Sequence, residues 1–335
     1  MGRAGKRIFG ILVVLAGVLA IGITATIGWR PFLGPRARAL TDRKFEATPQ
    51  RLERGRYIAT ALSGCVYCHS PHNWSGDTAV VAGKEWSGEV EPYADLPGRI
   101  VAPNLSPDPE TGAGNWSDDQ LARAIREGVG HDGRALFPLM PYQRYREMSD
   151  EDLASVIVYI RSVPAVRNVL PKTEIIFPVK YLIRNVPRPV TAPVADSAGD
   201  QIQRGEHLVH LAGCMDCHTP ADRGQPVPNM EGAGGFGLPG PWGFVASANI
   251  TPDASGISYY DEALFLDVMH TGSVKARRLS PIMPVRVYRN ITDDDLKAMF
   301  AYLRTLKPVK HRVDNSETPT MCKLCRLKHG AGDQN

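Results

Sequence analysis

The chain has 335 residues, 43% of them hydrophobic and 22% charged, with 32 glycines and 27 prolines. A normal apolar content excludes wholesale disorder, and the glycine and proline load favours long irregular loops on a few helices. The net charge of +4 is uneven: residues 1–44 hold eight Lys/Arg against Asp42, while the remainder holds 31 basic and 34 acidic side chains, so no basic face speaks for a nucleic-acid partner.

Ile8–Trp29 is 22 residues without a charge, long enough to span a bilayer. It is too long for a typical signal-peptide core, and no clear small-x-small cleavage site follows; a cleaved signal is the alternative. The reading is therefore an uncleaved single-pass anchor (residues 1–30, helix about 8–29) in contact with membrane lipid. Arg3, Lys6 and Arg7 before it nearly balance Arg30, Arg36 and Arg38 after it, so charge alone does not orient it. Residues 31–50 form a juxtamembrane linker.

A short helix over 51–64 leads into Cys65-Val66-Tyr67-Cys68-His69, and a second over 201–213 leads into Cys214, Cys217 and His218 in the same order. On one helical turn, residues i, i+3 and i+4 share a face. Two thiols and an imidazole so placed suit thioether attachment of one c-type haem and ligation of its iron. A zinc ribbon would place its pairs some 15–20 residues apart, not 149, and a thioredoxin-like pair expects a βαβ surround.

Downstream, Asn104-Leu105-Ser106-Pro107-Asp108 returns as Asn249-Ile250-Thr251-Pro252-Asp253, and the block 140–166 returns as 283–309. Offsets of 149, 145 and 143 mark a duplicated unit with small loop deletions, not a solenoid of short repeats. Ser117 opens a helix that Gly128 stops, and Ser149 and Thr292 cap the last helix of each copy. The five prolines of the linker at 168–200 forbid a long helix there. No alternating strand pattern is evident.

Shifted by 143, Met140 falls on Met283, whereas Met148 falls on Ile291 and His131 and His270 have no counterpart. The matched Met-Pro pairs nominate Met140 and Met283 as sixth ligands opposite His69 and His218. Soft thioether ligation favours Fe(II). Two six-coordinate irons leave no open substrate position, so the reading is an electron carrier, not an enzyme. The alternatives are a dihaem peroxidase, a haem sensor and the cytochrome c subunit of a terminal oxidase.

C-x-x-C-H, then N-[IL]-[ST]-P-D, then M-P before a final helix resembles the class I cytochrome c fold. The version is similar to the cytochrome c subunits of membrane-bound alcohol and gluconate dehydrogenases, over about residues 51–309. The resemblance implies a mostly α fold: cytochrome c domains at 51–167 and 201–309, two covalent haems c, and a tail at 310–335. Those subunits usually carry three such domains, where this chain has two. It places Asn104 and Asn249 in a loop over the haem edge, an Asx turn being the other reading. It implies a redox partner: a periplasmic dehydrogenase, an oxidase or a soluble cytochrome. Haem attachment outside the cytoplasmic membrane would put the haem domains in a bacterial periplasm and the anchor in the inner membrane. In the tail, Cys322-Lys323-Leu324-Cys325 is followed by Arg326, so a third haem is not expected. Cys322, Cys325 and His329, with His311 as a fourth ligand, suit tetrahedral zinc; a disulfide is the alternative.

Overall fold

The computed structural model describes residues 2–74, 80–93, 95–196, 199–222 and 224–335. Residues 75–79 and 94 of the first repeat, 197–198 of the linker and 223 of the second repeat lie outside it. Helix α1 runs Arg3–Thr26, about 36 Å at the usual rise per residue. Its most apolar 18-residue window has a mean hydropathy of 2.7, and none of its residues is buried. It is long and apolar enough to cross a membrane. It starts before Ile8 because Arg3, Lys6 and Arg7 are good helix formers, and it stops before Trp29 because Gly28 takes a left-handed φ of +69°. Trp29 instead caps α2 (Arg30–Leu33), with Pro31 in its first turn.

The same helical order then appears twice. The first copy is α3 (Pro49–Tyr57, continued by a π turn at Ile58–Leu62), α4 (Cys65–Cys68), α5 (Asp118–Glu127), α6 (Tyr142–Tyr145) and α7 (Asp150–Ser162). After α8 (Val179–Leu182) in the linker come α9 (Gln201–Ala212), α10 (Cys214–His218), α11 (Glu262–Thr271), α12 (Val285–Tyr288) and α13 (Asp293–Leu303). The caps are local and work as their sequences say. Ser117 and Gln120 form a capping box on α5, and the Ser149 and Thr292 hydroxyls accept from the backbone N–H of Asp152 and Asp295.

Each first helix crosses its last helix at a glycine. A Cβ on Gly55 would lie 1.9 Å from the Ser155 carbonyl oxygen, and one on Gly205 would lie 1.9 Å from that of Ala298. Paired ions repeat beside the crossings: Arg54 forks onto Asp152, and Arg204 onto Asp295. Short antiparallel strand pairs, six among the described residues, join the loops. With two to four residues per strand they have no room for the alternation that would reveal them in sequence. The linker packs rather than floats: Glu174–Ile175 pairs with Gly98–Arg99, Val194 accepts from Asp150 N, and Arg184 and Asn185 donate to the Pro31 and Ile27 carbonyls. One apolar core holds Leu62, Leu153 and Ile157 of the first repeat together with Leu211, Leu296 and Met299 of the second.

Candidate functional site

Both cysteine turns begin after a glycine in the left-handed region, Gly64 at φ +62° and Gly213 at +77°. That conformation ends the preceding helix and re-aims the chain at little cost only for glycine. On the turn that follows, the thiols of Cys65 and Cys68, and of Cys214 and Cys217, are unpaired. His69 places Nδ1 2.8 Å from the Pro103 carbonyl, and His218 places Nδ1 2.7 Å from that of Ala248. A carbonyl can only accept, so each ring carries its proton on Nδ1 and leaves the Nε2 lone pair free. Burial lowers both imidazoles, His69 to about 4, although the carbonyl bond opposes it. Neutral rings with Nε2 unprotonated are what a metal ligand requires.

The Met-Pro segments are built alike. Leu136 N bonds Gly128 O and Leu279 N bonds Gly272 O; the Met140 carbonyl then accepts from Tyr142 N as that of Met283 does from Val285 N. Both methionines are half-buried against the core that also carries Cys65 and Cys214. Met148 and its counterpart Ile291 are each 1% exposed, and so are core filling. His131 stacks on Trp116, and His270 bonds Asp293 and the Arg289 carbonyl. The two asparagines are buried and fully engaged. Asn104 accepts from Ser106 N and donates to the Val166 carbonyl; Asn249 does the same with Thr251 and Val309. Their side chains therefore form Asx turns that tie the loop to the chain beyond the last helix.

Two unpaired thiols and a pre-set imidazole per turn, among half-buried apolar side chains such as Val66, Tyr67 and Met215, fit a covalently held haem. Residues 202–307 match the family model described as Cytochrome c. Residues 202–307 are thus a cytochrome c domain. It is 28% identical to the cytochrome c subunit of alcohol dehydrogenase (quinone) from Gluconobacter oxydans, over 86% of this chain and 66% of that one. A diheme cytochrome c-type protein of Cereibacter sphaeroides is 27% identical, over 89% of this chain and 97% of its own length. A nicotinate dehydrogenase subunit of Pseudomonas putida is 30% identical over 98% of this chain, which spans 27% of that protein. The chain thus spans under two thirds of the length of the alcohol dehydrogenase and nicotinate dehydrogenase subunits.

Sequence reasoning missed the seam between the two repeats. Arg144, next to the Met140 turn, pairs with Asp216 between the second pair of cysteines and fills the space a Cβ on Gly213 would need. Val287, its counterpart at the 143 offset, packs 3.3 Å from the Cβ position of Gly64. Each repeat therefore closes on the residue before the other's cysteines, in a two-fold-like exchange. An arginine where the duplicate has valine was the available signal. The seam also carries an aromatic chain, His72–Trp74–Trp242–Tyr93, with centroids 4.6, 5.3 and 5.6 Å apart. In the tail, His311, Cys322, Cys325 and His329 are each at most 1% exposed, and their ligand atoms lie within 4.8 Å of one another. Neither cysteine is in a disulfide.

Proposed function

We propose that this chain carries two haems and relays single electrons on the periplasmic side of the inner membrane, between a dehydrogenase and a respiratory acceptor. Cys65, Cys68, His69 and Met140 would hold one haem; Cys214, Cys217, His218 and Met283 would hold the other. The observation that carries the reading is the duplicated Nδ1–carbonyl bond, which presents two Nε2 lone pairs in the same way beside two thiol pairs. Bound haem supplies reversible one-electron exchange. The chain's own residues do the rest. The carbonyls of Pro103 and Ala248 fix ring orientation and tautomer. Arg144 lies at the seam beside the second cysteine turn, where it offsets the negative charge of Asp216. The dehydrogenase partner is inferred from the relatives, and the orientation from haem attachment outside the cytoplasm, with α1 as the anchor.

The test is a haem count with ligand challenge. The purified protein should show two haems per chain by pyridine haemochrome, both unreactive towards CO when reduced. One haem per chain, or rapid CO binding by either, overturns the assignment.

A further inference from the structure

We propose that His311, Cys322, Cys325 and His329 bind one zinc ion, which fastens the tail to the second repeat. The residues come from three places. His311 follows α13, the cysteines sit on the turn between strands Pro319–Met321 and Lys328–Gly330, and His329 is on the second strand. Tetrahedral zinc with Zn–S near 2.3 Å and Zn–N near 2.0–2.1 Å sets donor atoms about 3.3–3.8 Å apart. His311 Nε2 lies 3.4 Å from Cys322 Sγ and 3.1 Å from His329 Nε2.

The protons decide what that short nitrogen–nitrogen distance means. His311 Nδ1 is 2.8 Å from the Ala233 carbonyl, and His329 Nδ1 is 2.9 Å from that of Gly330. Each carbonyl demands a donor, so both rings carry their proton on Nδ1 and both Nε2 atoms present lone pairs. The duplication supports this independently. At the 143 offset His311 replaces Asn168, whose amide Nδ2 donates to the Ser87 carbonyl. The backbone bonds match as well: Asn168 N donates to Thr111 Oγ1, and His311 N to Ser255 Oγ. A ring nitrogen doing the work of an amide NH₂ is a donor.

Two lone pairs then face each other at 3.1 Å in a buried pocket, and the one sulfur proton beside them, on Cys322 3.4 Å from His311 Nε2, can serve one ring but does not lie between the two. A cation among them removes that repulsion. A Cys322–Cys325 disulfide does not, because it leaves the imidazoles opposed. Cys325 N–H also points at Cys322 Sγ, 3.5 Å away, as it would towards a metal-bound thiolate. Two thiolates, formed by loss of two thiol protons, and two neutral imidazoles give a neutral Zn(II) site; thiolate donors disfavour the hard cations Mg²⁺ and Ca²⁺.

The site reaches the haem side of the second repeat. Gly235, at φ +87°, leaves room for His311, since a Cβ there would lie 2.6 Å from His311 Cε1. One residue back, Gly234 N donates to the His218 carbonyl. The ion thus braces the loop that is hydrogen-bonded to a haem-site histidine.

The experiment uses the full-length, haem-loaded protein in detergent. Elemental analysis should give one zinc per chain, and zinc-edge X-ray absorption should give a shell of two sulfurs and two nitrogens. Cys322→Ser with Cys325→Ser should lower zinc per chain at least tenfold. So should His329→Gln, a milder change that leaves both cysteines in place. Zinc below a tenth per chain with Cys322 and Cys325 recovered as a disulfide overturns the proposal. So does iron in excess of haem with no zinc, or a zinc shell without sulfur.

Discussion

Gly205→Ala tests the helix crossing that carries the second cysteine turn. The added Cβ would meet the Ala298 carbonyl oxygen at 1.9 Å, its carbon at 2.5 Å and Tyr302 Cβ at 3.0 Å. Real Cβ atoms do not approach an oxygen closer than about 3.0 Å, so α9 and α13 must part by roughly an ångström, a gap that forfeits a quarter to a half of each dispersion contact along the crossing. Overpacking of this kind costs about 3 kcal/mol, and alanine returns about 1 kcal/mol of helix propensity. The two repeats share one core, so the net loss of about 2 kcal/mol lowers Tm by roughly 4–8 °C, the shift for a cooperative body of about 150–250 residues. Gly55→Ala, with the same 1.9 Å approach to the Ser155 carbonyl oxygen, should cost the same. Glu206→Ala, one residue along on the exposed face, should stay within about 0.5 kcal/mol of wild type. Thermal unfolding of the three variants by far-UV circular dichroism decides. A Gly205→Ala melt within about 1 °C of wild type would refute the reasoning.

Redox titration of Met140→His should show one potential falling by on the order of 0.1–0.3 V, within the ~0.8 V range that axial ligands command; the other should stay nearly fixed. Met283→His should do the converse, and Met148→Leu should move neither. Burial, and then Glu89, push the Glu91 carboxyl up to about 8. Its ionisation near Cys68 should favour Fe(III), so the potential of the first haem should fall as pH rises through about 8, and Glu91→Gln should flatten that slope. Burial raises Asp119, but Arg38, Thr41 N–H and Arg43 outweigh it and hold the carboxyl below its usual range. A depressed carboxyl stabilises the fold above its unfolded pKa and loses that contribution as pH falls. Asp119→Asn should therefore cost about 2 kcal/mol at pH 7, discounted for the partly exposed arginines, with the difference closing below about pH 4 in denaturant titrations.

What could be read from sequence was local or repeated. Ser117, Ser149 and Thr292 announce helix starts because a cap needs only its own next three residues. The Met140–Met283 match emerged because duplication supplies a control that a lone methionine lacks. Hydropathy located the apolar window of α1 but not its ends, since helix continues through Arg3–Arg7 and stops at Gly28. Helix α11 went unread, although Asp261 caps it and Gly272 ends it. The tail's cysteines and His329 stood out by spacing, whereas the place of His311 depends on the Ala233 carbonyl, some eighty residues back. Arg144 was silent because its role exists only once the two repeats meet.

That meeting constrains how the protein is made. Synthesis runs from the N-terminus, so Gly64 and the cysteines after it emerge long before Val287, the side chain that packs against Gly64. The first thiol pair therefore waits without its seam partner while the whole second repeat is being produced. The second pair has no such interval: Arg144 already exists when Gly213 appears. A two-fold-like contact in the finished molecule is thus unequal in time, and the chemistry that modifies the cysteines meets one open turn and one whose cover is already at hand.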